Sequence, residues 1–203
     1  TRVPEASTGT GTEALRATNR GLELVTTDDP RPIVVDAEAW QVDLRLAARP
    51  RIAIVGGGHC GRALSHTMRR LRYHVSVLDT RPDAALFANN ADAHRRIVLD
   101  DYEQAGARIP QPETTALVIM TTDFPSDVRA LAGALPYPFP FIGVMGSLAK
   151  LNHIRAELRR AGFTDDDLSR LRAPVGLPIG SHTPEEIAIS IAAQFIQEAG
   201  ASS

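Results

Sequence analysis

The sequence predicts an α/β fold built on a doubly wound, mainly parallel sheet, and three observations carry that prediction. Five short apolar runs, Ile52–Val55, Val75–Leu78, Arg96–Leu99, Ala116–Thr121 and Pro140–Val144, recur along the chain. Segments of helical composition separate them, the alternation expected of βα units whose strands are buried on both faces. The first run also ends in a glycine cluster, Gly56-Gly57-Gly58-His59-Cys60-Gly61, at the point where helical periodicity begins.

The first strand-to-helix unit carries the clearest chemistry. Gly56, Gly58 and Gly61 satisfy G-x-G-x-x-G between a strand, Arg51–Val55, and a helical segment that starts Arg62-Ala63-Leu64. In that setting the first glycine permits a tight turn, the second lets backbone approach a pyrophosphate, and the third lets helix pack on strand. The first helical amides then face an anion. The second strand, from His74, ends at Asp79, 18 residues past Gly61, where such folds place an acid against a ribose hydroxyl. A Rossmann-like sheet with a nucleotide-like or phosphate-bearing ligand at the glycine turn follows as the expectation, the alternative being a glycine turn needed only for packing.

Several residues around that turn allow two readings. His59 either donates to a ligand phosphate or points to solvent, and Cys60 is either a thiolate favoured by the helix start or a small packing residue. Arg81, two residues after Asp79, either contacts the ligand or lies on the surface. The strand ends Thr121-Thr122-Asp123 and Met145-Gly146-Ser147 should share the rim with the glycine turn, since ligands in open α/β sheets bind outside the carboxyl ends of strands. Lys150, on the first turn after Ser147, is the sole lysine beside 21 arginines. It is either a functional cation at that rim or a solvated helix residue.

The flanks are less regular. Residues 1–31 read as a flexible or remnant segment, beginning with the small, polar TRVPEASTGTGT. Ile33–Val35 and Val42–Leu44, with a turn at Asp36–Glu38, read as a hairpin opening a domain that runs over 32–203. At the other end Thr164 reads as a helix N-cap before three aspartates. RAPVGLPIGS (172–181) reads as irregular, and Thr183-Pro184-Glu185-Glu186 as a capping box. A final helix follows, with Ile187, Ile191 and Phe195, flanked by Ala188, Ala192 and Ile196, directed at the sheet.

Composition bounds the function. The chain has 203 residues, 43% hydrophobic and 23% charged, with a net charge of −2. That balance argues against a nucleic-acid partner. No run approaches the roughly 18 apolar residues of a membrane span, and the first residues lack the apolar core of a secretory signal. One cysteine excludes an internal disulfide and a cysteine-based zinc site, so a reducing, cytoplasmic setting is expected. The six histidines show no metal-type spacing.

Four segments together, GGGHCGRAL, LDTRP, FIGVMGSLAK and above all RAPVGLPIGSHTPEEIAISIAAQFI, resemble the XdhC/CoxI family of xanthine dehydrogenase accessory proteins over roughly residues 32–199. The resemblance implies a Rossmann-like domain of a protein that binds the molybdenum cofactor, a molybdopterin. Such a protein helps load it into a molybdenum hydroxylase apoenzyme, such as xanthine or carbon monoxide dehydrogenase. It implies a carrier and insertion factor rather than a catalyst, associated with a cysteine desulfurase that sulfurates the cofactor. On this basis Gly56, Gly58, His59 and Gly61 are expected at the phosphate end, with Asp79, Arg81, Ser147 and Lys150 lining the rim and no catalytic or metal-ligating residue. The GS-x-x-K pattern is kept at Gly146, Ser147 and Lys150, whereas Thr122 stands where many relatives carry histidine. Relatives commonly carry a separate N-terminal domain, so a shortened member or a fragment is expected. Two alternatives stay open: an NAD(P)-dependent oxidoreductase, and an interaction module with a vestigial nucleotide site. A homodimer is compatible with these residues and not required by them.

Overall fold

The computed structural model describes residues 12–18, 21–27, 33–34, 40–45 and 49–201. The chain divides into two compact units, Thr1–Ala48 and Arg49–Ser203.

The first unit holds an antiparallel sheet of four strands, β1 (Thr12–Thr18), β2 (Gly21–Thr27), β3 (Ile33–Val34) and β4 (Trp40–Arg45), in the order β2-β1-β4-β3. The expected hairpin is present, with Val34 opposite Trp40. Its second strand also pairs with β1, Leu15 facing Leu44. Within residues 1–31, which the sequence reads as a flexible or remnant segment, β1 and β2 pair over seven residues each. ALRAT and LELVT alternate apolar and polar residues only weakly, and cross-strand pairing supplies what that local pattern does not. The hairpin accordingly belongs to this unit and not to the larger domain. Residues 1–11 and the turn expected at Asp36–Glu38 lie outside the described residues.

The second unit is the doubly wound domain. Its sheet has six strands, β5 (Arg51–Val55), β6 (His74–Asp79), β7 (Arg95–Val98), β8 (Thr115–Ile119), β9 (Ile142–Val144) and β10 (Leu171–Arg172). They run in the order β10-β9-β8-β5-β6-β7, and every pairing is parallel. Alternation along the strands explains the two-faced core. Ala53, Val55, Leu117 and Ile119 point to one side, where they meet α4 (Phe124–Ala134) and α5 (Leu148–Arg160) through Leu131, Leu151 and Ile154. Ile52, Ile54 and Val118 point to the other, against α1 (His59–Arg70) and α7 (Pro184–Ala201) through Leu64, Met68, Ile191 and Phe195. The short α2 (Ala85–Ala88), α3 (Ala105–Arg108) and α6 (Asp165–Ser169) fill the connections.

The helix signals behave as expected at both C-terminal starts. Thr164 and Asp167 close a capping box on α6. At α7, Glu186 accepts from the His182 and Thr183 amides, and its own amide donates to the Thr183 hydroxyl. Two features differ. RAPVGLPIGS is not wholly irregular: β10 extends the sheet, Val175 N–H donates to the Val144 carbonyl, and Gly176 N–H donates to Gln194 of α7. Ile196 is also 59% exposed rather than packed on the sheet. The helix turns about 100° per residue, so position 196 rotates out of the face that buries Ala188, Ile191, Ala192 and Phe195. Among the described residues no helix is long and apolar enough to cross a membrane.

Candidate functional site

The strand order reverses between β5 and β8, and the glycine turn leaves β5 at that reversal. The turn is held by the end of β6: Gly56 N–H donates to the Leu78 carbonyl at 2.8 Å, and Gly57 N–H donates to Asp79 Oδ2 at 2.7 Å. Gly56 has φ +116°, a conformation that side chains resist, and a Cβ there would collide with the Met120 carbonyl. A Cβ on Gly61 would collide with the Gly56 carbonyl. Gly56 and Gly61 therefore serve the close approach of turn, helix and neighbouring strand.

Gly58 differs. It is the N-cap of α1, with extended backbone and no side-chain cap, and a Cβ there would meet nothing within 4 Å. The first helix amides have no intrahelical acceptor, and Gly58 stands immediately before them. His59 is exposed on the first turn and lines a cavity of about 280 Å³ with Arg62, His66, Asp92 and Glu185. Cys60 is half-buried against the core. Burial pushes its thiol above the usual range and the Glu185 carboxylate adds to the shift, which favours the packing reading over a thiolate.

The rim residues are placed less simply. Asp79 is fully buried, its carboxylate drawn back beneath the turn. Besides the Gly57 amide it accepts from the Arg81 amide (3.0 Å), Arg81 Nε (2.9 Å), Arg81 Nη2 (2.9 Å) and the Tyr102 hydroxyl (3.2 Å). Burial alone would raise its pKa, but the bonds from the Arg81 side chain and the two amides outweigh it and hold the carboxyl below the usual range. In this arrangement Asp79 supports the glycine turn, and Arg81, with its side chain 45% exposed, is the member of the pair that meets solvent. Ser147 caps α5, its hydroxyl accepting from the Lys150 amide.

Lys150 stands on the first turn of α5, and its Nζ lies 2.5 Å from Oδ2 of Asp127, a carboxylate with no exposed surface. The other oxygen of Asp127 accepts from the Thr121 amide (3.1 Å) and hydroxyl (2.5 Å). Helices α4 and α5 are thus joined by this ion pair, and Asp127 ties both to the loop after β8, where Met120 and Thr121 crowd Gly56. Sequence reasoning missed Asp127 and Tyr102. A signal for Asp127 was available: it falls in register with Ala130, Leu131 and Ala134 on the buried face of α4, where an acid requires a partner. Nothing local marks Tyr102.

Together these features define a Rossmann-like domain with an open glycine turn at the strand reversal. Residues 52–195 match the family model described as the XdhC Rossmann domain, and the chain belongs to that family. Relatives include the Uncharacterized protein YqeB of Escherichia coli, 30% identical over 73% of this chain and 27% of that protein. A probable xanthine dehydrogenase component of Bacillus subtilis is 26% identical over 75% of this chain and 44% of that protein. A solved structure described as a xanthine dehydrogenase, from Bacillus halodurans, shares the fold with a TM-score of 0.67 at 23% identity, covering 95% of this chain and 61% of that one. The chain thus spans less than half the length of the two curated relatives.

Proposed function

We propose that this domain holds the phosphate end of a molybdopterin-type cofactor and acts as a carrier in the maturation of a xanthine dehydrogenase-type molybdenum hydroxylase. The observation that carries the reading is the contrast within the motif: Gly56 and Gly61 are required by packing, whereas Gly58 faces open space at the start of α1. A fold needs no glycine there for its own sake; a ligand phosphate brought against backbone amides does. Membership of the XdhC family supports a client of the xanthine dehydrogenase type, and with it a molybdopterin-type cofactor. When bound, the cofactor carries the metal chemistry that the client enzyme uses. This chain's part is to hold the phosphate at the Gly58–Gly61 amides, with His59 beside them. Arg81 and Lys150 are the cations this reading assigns to the rim. A cysteine desulfurase is the further partner this reading implies.

Gly58 has an ordinary backbone conformation with room around it, so Gly58→Val should leave the fold intact. The expected outcome is a melting temperature within a few degrees of wild type and at least tenfold weaker retention of molybdopterin, followed by its fluorescence after oxidation. Unchanged retention would overturn the assignment. Parallel titration with NAD(H) and NADP(H) distinguishes the oxidoreductase alternative, which requires tight nicotinamide binding with turnover. Asp79 disfavours that alternative, because its carboxylate is engaged by this chain's own donors where a ribose hydroxyl would need it.

A further inference from the structure

Helices α1 and α7 lie side by side and run in the same direction: His59 and Arg62 share a cavity with Pro184 and Glu185 at one end, and Arg70 and Leu71 share a groove with Ala193 and Ile196 at the other. Their outer surface does not match their role as one layer of a finished domain. Ile189 (56% exposed) and Ile196 (59%) stand on α7 with Ala193 between them, beside Leu71 at the end of α1 (38%). Spacings of four and three residues put Ile189, Ala193 and Ile196 on one helical face, and they border an apolar groove of about 290 Å³. Single exposed apolar residues are ordinary; a continuous groove walled by them marks an interaction surface.

We propose that a second copy of this chain covers this surface, packing α7 antiparallel to its own α7 about a two-fold axis between Ile189 and Ala193. Two features select that occupant. Shape is self-complementary: in this register Ile189 of each copy seats over the small Ala193 of the other, so bulk meets gap on both sides of the axis, as an isologous interface requires. Charge is also self-complementary. The exposed Glu185 stands at the start of α7, and the exposed Arg70, which borders the groove, lies in the last turn of α1 at the opposite end of the same surface. Antiparallel pairing turns the Glu185 end of one copy toward the Arg70 end of the other, whereas parallel pairing would set like charges together. At 18 residues, α7 is about 27 Å long, enough to carry a helix-pair interface.

Sedimentation equilibrium of the whole chain over a concentration series tests this without reference to any cofactor, so its outcome is independent of the ligand assignment. The wild type should approach twice the chain mass. Ile189→Glu and, separately, Ile196→Glu should weaken association at least tenfold with unchanged far-UV spectra, since both side chains already face solvent. Glu185→Arg and Arg70→Glu should each weaken it, and the two together should restore it. A wild type that stays at the chain mass throughout, or a mass unmoved by Ile189→Glu, overturns the proposal, as does a double charge reversal no tighter than either single one.

Discussion

Two buried carboxylates flank the glycine turn, and they are neutralised in opposite ways. Asp79, at the end of β6, gathers five donors, three of them from Arg81 only two residues away. Asp127, on α4, has both Thr121 donors on one oxygen and the Lys150 ammonium at the other. The first is a local and redundant arrangement. The second joins three segments, the loop after β8, α4 and α5, through a single cation from 23 positions further along the chain. A redundant site tolerates the loss of one donor; a site that depends on one distant charge does not.

The sharpest way to break this contrast is Lys150→Met. It leaves a fully buried carboxylate without its cation, a change that costs about 3 kcal/mol, read from the urea midpoint. Adding Asp127→Asn should recover most of the loss, because the buried charge then disappears. Asp79→Ala removes the acceptor of the Gly57 amide along with the Arg81 bonds and should cost about 2 kcal/mol, with faster hydrogen exchange at Gly57 as the specific readout. Arg81→Ala should cost about 1 kcal/mol or less, because Arg81 is half exposed and the Gly57 amide and Tyr102 still bind Asp79. If Arg81→Ala proved as damaging as Lys150→Met, the redundancy would be disproved.

Acid titration extends the comparison. Asp79 has a folded pKa below its unfolded value of about 3.9, so its contribution is complete above that value and is lost as pH falls through the folded pKa. A smaller effect comes earlier. His74 and His94 stack with ring centroids 4.6 Å apart, and His94 Nδ1 accepts from the Val75 amide. Burial lowers both pKa values, with nearby arginines adding to the shift. The unfolded chain therefore takes up these protons first, and stability should start to decline as pH falls below about 6.5. Replacing both residues with glutamine should flatten that part of the stability profile and leave the acid limb below about pH 4 in place.

The legible parts of the sequence were those whose determinants are close in the chain. The glycine turn, Thr164, the Thr183–Glu186 cap and the apolar runs each combine residues a few positions apart. The sequence marks Lys150 as the lone lysine, shortly after Ser147, but nothing in it points to the engagement with Asp127. The acid and its cation lie on different helices, and no spacing rule connects them. Asp79 was placed at the correct strand end. That its carboxylate turns inward follows from Arg81 and Tyr102 closing over it, which depends on where the turn at Tyr102 packs. β1 and β2 were missed because their stabilisation is pairwise across strands.

The sequence by itself determined the class of sheet, the position of the glycine turn at its first strand and the capping of the last helices, because strand alternation, turn conformation and end-capping act over a few residues. Tertiary structure alone decided which motif glycine faces open space, which cation serves which buried acid and which side of α7 is left outside the core. Each of these depends on what a second element brings within a few ångströms, and burial makes the outcome strong by removing the water that would otherwise satisfy every polar group equally.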